Sequence, residues 1–220
     1  MRPSVLVADD HQMFSEALNT LLKPNYDVVG VASNGRELAE LAVEHKPQVI
    51  LTDLSMPQMN GLDAIISLAK TGLKSKFIIL TMHADVSLAV EVFRAGASAL
   101  VLKTSGGDEL REAIKVVLRG GCYLSRQFPC DLVTLLAEAA RRPSSERGPQ
   151  ITPRQREVLQ LLAEGKSMKE IGAQLNLSTR TAESHKYQLM STLGIKTNAE
   201  LVQYAIKIGL ITVKPLNASA

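Results

Sequence analysis

Five chemically active side chains stand where four apolar runs in the first half of the chain end: Asp9, Asp10, Asp53, Thr81 and Lys103. If these runs are parallel strands, their carboxyl ends share one edge of a sheet, and the five side chains meet there. Three carboxylates brought together repel one another unless a cation joins them. Oxygen ligands that leave room for water suit Mg²⁺, so this pattern predicts a magnesium site at the edge of the sheet.

A carboxylate beside a bound metal can attack a phosphoryl group and form an aspartyl-phosphate. Asp53 is the predicted nucleophile because its strand is central in the sheet. Lys103 would supply an ammonium group, and Thr81 a hydroxyl, to the phosphoryl oxygens. Each residue alone has an ordinary explanation, since an aspartate at a strand end is often only a helix N-cap. The coincidence of all five favours phosphoryl transfer.

These positions depend on an alternation of strands and helices through residues 1–120. Short aliphatic runs predict strands at Val5–Ala8, Val28–Ala32, Val49–Thr52, Phe77–Thr81 and Ala99–Leu102. Amphipathic segments predict helices at Met13–Leu22, Arg36–Glu44, Leu62–Ala69, Val86–Ala95 and Leu110–Leu118. Five strands alternating with five helices predict an α/β fold with a five-stranded, parallel, doubly wound sheet of the flavodoxin-like kind.

The composition is that of an ordinary globular protein. Of 220 residues, 45% are hydrophobic and 21% charged, which excludes a wholly disordered, collagen-like or disulfide-stapled chain. No apolar run approaches the roughly 20 residues of a bilayer crossing, and the first run is too short for a signal-peptide core. The two cysteines, Cys122 and Cys130, lack zinc-like or CxxC spacing. We therefore expect a cytoplasmic protein with no membrane partner.

The second half of the chain differs in charge and in pattern. Residues 1–120 hold 12 basic and 14 acidic side chains, whereas residues 121–220 hold 13 and 8. A basic module favours a nucleic-acid partner, although basic surfaces are common elsewhere. A predicted helix at Phe128–Ala140 and a polar linker rich in Pro and Gly lead to a purely helical pattern. Three capping boxes mark helix starts there: Thr152 with Gln155, Ser167 with Glu170, and Thr197 with Glu200.

Two of these helices, Ser167–Leu175 and Thr179–Leu193, are joined by a turn of helix-turn-helix length. At about 100° per residue, Ala182, Leu189 and Leu193 share the apolar face of the second helix, and the opposite face is polar. Such a face suits the major groove of DNA, although it is also what solvent requires. The predicted DNA-binding side chains are Arg154, Lys169, Thr179, Arg180, Glu183, Ser184, Lys186 and Tyr187.

The first half resembles the receiver domain of bacterial two-component response regulators over residues 4–120. The segments that carry the resemblance are Val5–His11, Asp53–Gly61, Leu80–Met82 and Ala95–Lys103. The resemblance implies that Asp53 is the phosphoacceptor and that Thr81 and Lys103 sense the phosphoryl group. It also implies a set of Mg²⁺ ligands, namely Asp10, Asp53 and the backbone carbonyl of Ser55, with Asp9 assisting. Pro57 and Gly61 would shape the loop after Asp53.

One position departs from the receiver pattern. Three residues before the lysine, the family usually has Tyr or Phe, whose ring moves inward when the threonine engages the phosphoryl group. Here the residue is Leu100, which can pack but has no hydroxyl. The phosphorylation chemistry is unaffected, but Leu100 lacks the aromatic ring that the usual relay from the site to the surface employs.

The second half resembles the LuxR-type DNA-binding domain, through Ile151–Leu159, Gly165–Ile171 and Leu177–His185. The whole chain is therefore similar to NarL/FixJ-type transcriptional regulators. This implies a receiver domain at 1–121, a linker helix and flexible linker at 122–150, and a DNA-binding domain at 151–220. It also implies a sensor histidine kinase, promoter DNA and a homodimer of the active form, without enzymatic turnover. By the same analogy, Glu183, Ser184 and Tyr187 face the bases.

Three other interpretations remain. The first is a regulator of the same architecture whose DNA binding ignores phosphorylation, which Leu100 suggests. The second is a dehalogenase-like phosphatase, but that chemistry needs a second acid two residues after the nucleophile, where this chain has Ser55. The third is a flavin carrier, which is disfavoured because Asp9 and Asp10 occupy the place of a phosphate-cradling loop.

Overall fold

The structure is a computed structural model that describes residues 2–82, 84–128, 151–208 and 210–211. The chain divides into two compact units, one within residues 1–143 and one within residues 144–220. The predicted helix at Phe128–Ala140 and the polar linker lie, apart from Phe128, outside the described residues.

Strands and helices alternate in the first unit. The strands are β1 (Ser4–Ala8), β2 (Asp27–Ala32), β3 (Val49–Asp53), β4 (Lys76–Thr81), β5 (Ala99–Leu102) and β6 (Tyr123–Leu124). The helices are α1 (Gln12–Leu22), α2 (Gly35–His45), α3 (Gly61–Ala69), α4 (Val86–Arg94) and α5 (Gly107–Leu118). The five strands and five helices expected from the sequence are therefore confirmed, and only their ends differ.

The strands form one parallel sheet in the order β2-β1-β3-β4-β5-β6. Successive residues of a strand face opposite sides of the sheet, and both sides are buried. Leu6 and Ile50 belong to the core on one face, and Val5 and Leu51 to the core on the other. Burial on both faces explains why these strands are aliphatic throughout and do not alternate with polar residues.

The sixth strand is one more than the sequence predicts. Tyr123 and Leu124 pair with Ala99 and Leu100 of β5. A strand of two residues carries no apolar run or alternation that a sequence reading can detect. Phe128, four residues beyond β6, is buried in the same core as Leu100. The residues that directly follow position 121 thus pack against the sheet.

Within the described residues, the second unit contains four helices: α6 (Pro153–Ala163), α7 (Met168–Leu175), α8 (Thr179–Leu193) and α9 (Asn198–Lys207). All three predicted capping boxes form, with Thr152, Ser167 and Thr197 as N-caps. Apolar side chains from the four helices share one core. In the described part of the chain, no helix has the length and apolar character that crossing a membrane requires.

Candidate functional site

The carboxyl ends of four strands carry the predicted site residues to one edge of the sheet. Ala8 of β1 pairs with Thr52 of β3, so Asp9 and Asp53 follow at the same level. Lys103, directly after β5, places its Nζ 2.7 Å from Asp9 Oδ2 and 2.9 Å from Asp53 Oδ2. Three of the five predicted groups are therefore in direct contact, although they are far apart in sequence.

Asp10 and Thr81 complete the set. Asp10 Oδ1 lies 2.9 Å from His11 Nδ1, and the His11 N–H donates to Asp9 Oδ1 at 2.9 Å. Thr81 is buried at the end of β4, and its carbonyl accepts a hydrogen bond from the Lys103 N–H at 2.7 Å. All five predicted side chains thus belong to one edge of the sheet.

Burial and charge set the protonation of this cluster. Burial raises the pKa of the Asp53 carboxyl to about 6, and Asp9 adds to the rise, while Lys103 and a hydrogen bond from the Ser55 backbone oppose it. Burial lowers the pKa of Lys103, but Asp53 and Asp9 outweigh it and hold that pKa above its ordinary value. At neutral pH the cluster therefore contains a charged lysine beside an ionised Asp53.

The cluster fits a divalent cation. Ligand atoms of Asp9, Asp10, His11 and Asp53 all lie within 4.8 Å of one another. Three carboxylates face one ammonium group, and their side chains are at most 17% exposed. Asp10 Oδ1 is buried, and its contact is the His11 Nδ1 at 2.9 Å. An ion that takes oxygen ligands would offset the excess negative charge of these carboxylates.

The loop after Asp53 is fixed by a close approach of two backbones. The Gly61 N–H donates to the Leu54 carbonyl at 2.9 Å. A Cβ atom on Gly61 would lie only 2.1 Å from the Asp53 carbonyl oxygen, so only glycine fits at the start of α3. Asn60 caps this helix through the Asp63 N–H at 2.9 Å. The backbone that carries Asp53 is therefore held rigidly from the α3 side.

Two side chains of the site were not singled out from the sequence. His11 contacts both Asp9 and Asp10. The ring of Phe14 lies 4.8 Å from Lys103 Nζ, a cation–π distance. Their positions in the chain explain both contacts, because His11 directly follows the two acids and Phe14 lies in the first turn of α1.

Leu100 is fully buried in β5, in the core that also contains Leu88 and Ala89 of α4. Its side chain has neither a donor nor an acceptor. A rearrangement at this position would therefore consist of packing alone, without exchange of a hydroxyl between partners.

In the second unit, α7 and α8 form the predicted helix-turn-helix. Asn176 ends α7 in the left-handed conformation, with φ of 54°, and the Leu177 N–H donates to the Gly172 carbonyl at 2.7 Å. A Cβ atom on Gly172 would lie 2.9 Å from the Leu177 carbonyl oxygen. Glycine at this position therefore allows the sharp turn that sets the angle of α8.

Helix α8 buries one face and exposes the other. Of the three residues predicted on the apolar face, Ala182 and Leu189 are fully buried, and Leu193 is partly buried against the same core. Six of the predicted DNA-binding residues are exposed, namely Lys169, Thr179, Arg180, Glu183, Ser184 and Tyr187. Lys186 is half-buried, with its Nζ 4.7 Å from the ring of Tyr187.

Arg154 has a different environment from the other predicted DNA-binding residues. Its guanidinium group donates to the carbonyl of Leu175, near the end of α7, and pairs with Glu157. Cationic donors at a helix C-terminus stabilise its unpaired carbonyls. Arg154 thus links α6 to α7, and a DNA phosphate would have to share its donors.

Comparisons with known proteins agree with this geometry. Residues 5–115 match the family model described as the response regulator receiver domain, and residues 149–205 match bacterial regulatory proteins of the luxR family. DegU of Brevibacillus brevis, a transcriptional regulatory protein, is 32% identical over 96% of this chain and 95% of its own. NreC of Staphylococcus aureus, an oxygen regulatory protein, is 33% identical over 94% and 98%.

A solved structure shows the same fold in a complex with DNA. RcsB from Salmonella enterica serovar Typhimurium, bound to promoter rprA in the presence of the phosphomimetic BeF3⁻, matches with a TM-score of 0.65. It is 26% identical in sequence and covers 93% of this chain and 98% of its own.

Proposed function

The chain belongs to the response regulators that join a receiver domain to a LuxR-type DNA-binding domain, and we propose that a sensor histidine kinase phosphorylates Asp53 to control its dimerisation and its binding to promoter DNA. The observation that carries the proposal is the contact of Lys103 with both Asp53 and Asp9 at the carboxyl edge of the sheet. Because its partners are the kinase and DNA, the proposed location is the cytoplasm.

In the proposed reaction, an ionised Asp53 oxygen attacks the phosphorus atom of a phosphohistidine. A P–O bond forms to Asp53, the P–N bond breaks, and the electron pair leaves with the imidazole. Lys103 supplies positive charge to the phosphoryl oxygens, and the Thr81 hydroxyl donates a hydrogen bond to one of them. Asp9 holds Lys103 in place before the transfer, since its Oδ2 lies 2.7 Å from the ammonium nitrogen.

The proposed metal is Mg²⁺, held by Asp10, Asp53 and the Ser55 carbonyl, with Asp9 assisting. When bound, it neutralises charge on the transferring phosphoryl group. The support from this chain is the cluster of three carboxylates with ligand atoms within 4.8 Å of one another, beside a single ammonium group. We propose no turnover of a substrate by this domain, because the phosphoryl group becomes part of the protein.

The proposed DNA contacts are those predicted from the sequence. The exposed face of α8 would enter the major groove, with Glu183, Ser184 and Tyr187 toward the bases. Lys169, Arg180 and the other basic residues would contact phosphates. Two copies of the chain would place two such helices on successive half-sites.

Phosphate contacts make binding salt-dependent. Because each basic side chain on a phosphate releases about one counterion, Arg180→Ala and Lys169→Ala should each make the slope of log affinity against log salt shallower by about 1. The measurement is a salt titration with duplex DNA of arbitrary sequence. Lys70→Ala, which removes an exposed cation of the receiver domain, is the matched control. Unchanged slopes in both test variants would contradict these phosphate contacts.

The test of phosphorylation control first selects genomic DNA fragments that the protein binds. It then compares the affinity of the full-length protein for these fragments with and without beryllofluoride and Mg²⁺. We expect beryllofluoride to tighten binding of the full-length protein by at least tenfold. The second candidate function is DNA binding that ignores phosphorylation, which the buried and purely aliphatic Leu100 favours. A difference under twofold would support this second candidate.

A further inference from the structure

Ser125 has a buried hydroxyl group that contacts the turn containing Lys103. Its Oγ accepts a hydrogen bond from the Leu102 N–H at 3.1 Å and lies 3.0 Å from the Ser105 Oγ. Leu102 and Ser105 stand on either side of Lys103 in the chain. Ser125 is only 2% exposed, so water does not compete strongly for these contacts.

Glu109, in the first turn of α5, fixes the direction of this hydroxyl. The Ser125 Oγ donates its one hydrogen to Glu109 Oε1 at 2.8 Å, which leaves its lone pairs for Leu102 and Ser105. Burial raises the pKa of Glu109, but hydrogen bonds from Ser125 and the Arg126 backbone, with smaller ones from Ser105 and Tyr123, outweigh it and lower that pKa overall. A charged acceptor strengthens both hydrogen bonds.

The same carboxylate holds the chain that follows β6. The Arg126 N–H donates to Glu109 Oε1 at 3.0 Å, and the Ser125 N–H donates to the Leu100 carbonyl at 3.0 Å. Phe128, two residues after Arg126, is buried in the core that contains Leu100. One acceptor atom therefore joins the Lys103 turn to the segment that leaves the sheet.

We propose that Ser125 is a positioning residue for Lys103, and that with Glu109 it couples the Lys103 turn to Arg126. A displacement of Lys103 toward a phosphoryl group on Asp53 would pull on Leu102 and Ser105, and through the shared Glu109 oxygen on Arg126. This route uses a hydroxyl and does not need the aromatic residue that Leu100 replaces. The inference rests on the proposed phosphorylation of Asp53.

The test uses the full-length chain with two readouts. The first is the initial rate of aspartyl-phosphate formation from acetyl phosphate and Mg²⁺. The second is the change in the amide NMR resonance of Arg126 on addition of beryllofluoride. Because the Lys103 turn loses its hydrogen bonds to Ser125, Ser125→Ala should slow the reaction at least fivefold. In this variant, beryllofluoride should leave the Arg126 resonance unchanged. Wild-type values for either readout in this variant would overturn the proposal.

Ser75→Ala is the matched control. Ser75 is a buried serine that donates to the Pro47 carbonyl just before β4, at the opposite edge of the sheet. Its loss removes a buried hydroxyl hydrogen bond without touching Lys103, so the rate should change less than twofold. An equal loss in both variants would show a general effect of stability and would overturn the positioning role.

A second pair of variants covers the case in which Ser125→Ala does not fold. Glu109→Gln keeps an acceptor oxygen and should react within twofold of the wild type, whereas Glu109→Ala should reproduce the fivefold loss. Equal rates in these two variants would contradict the role of the acceptor. If the wild type itself gains no label on Asp53, the proposed function fails. If the wild type is labelled normally and Ser125→Ala and Glu109→Ala are labelled at the same rate, only this inference fails.

Discussion

Replacement of Asp53 by Asn should reduce labelling by acetyl phosphate and Mg²⁺ to background. The amide is not a nucleophile, whereas the wild-type carboxyl, with a pKa of about 6, is largely ionised at pH 7.5. The measurement is acid-stable, base-labile phosphate on the full-length protein. Asp27→Asn, at the exposed start of β2, removes an acidic residue away from the site and should keep full labelling. Label of that kind in the Asp53→Asn protein would refute the assignment.

Unfolding measurements separate lost chemistry from lost structure in this variant. Since burial raises the pKa of Asp53 to about 6, the folded protein binds this proton more tightly than the unfolded chain does. The contribution of Asp53 to the free energy of unfolding therefore falls as pH rises from about 4 to 6 and stays low above that. Asparagine avoids the cost of burying a charged carboxylate, and Lys103 keeps its ion pair with Asp9 at 2.7 Å. Without metal at pH 7.5, Asp53→Asn should be at least as stable as the wild type.

The edge of the sheet could be predicted because its residues obey rules that are local in sequence. An aliphatic run indicates a buried strand, and its last residue marks the edge, so Asp9, Asp53 and Lys103 were placed together without any information on contacts. The capping boxes at Thr152, Ser167 and Thr197 were predicted for the same reason, since each is complete within four residues.

The remaining features depend on residues distant in sequence. Ser125 bonds Leu102 across 23 positions, and Arg154 bonds the Leu175 carbonyl across 21. No periodicity connects such pairs, and a serine or an arginine at these positions has many ordinary roles. The strand that delivers Ser125 is only two residues long. Tertiary pairing with β5 creates this strand, so local pattern could not reveal it.

The second large effect concerns Gly61, whose substitution should destabilise the receiver domain by steric conflict. An alanine Cβ would lie 2.1 Å from the Asp53 carbonyl oxygen and 2.9 Å from the Thr52 Oγ1. Neither neighbour can move freely, because Thr52 and Asp53 belong to a central strand paired on both sides. We expect Gly61→Ala to lower the free energy of unfolding of the receiver domain by about 3 kcal/mol.

Urea denaturation, monitored by the hydrogen exchange of amides in β3, measures this loss without a contribution from the C-terminal helices. Gly106→Ala is the control, since its added Cβ would meet nothing within 4 Å. Gly106 is the N-cap of α5, where exchange for alanine should cost less than about 1 kcal/mol. Similar losses in the two variants would contradict the steric argument. A larger loss in Gly61→Ala, with slower labelling of Asp53, would show that the backbone of Asp53 keeps its position only because residue 61 has no side chain.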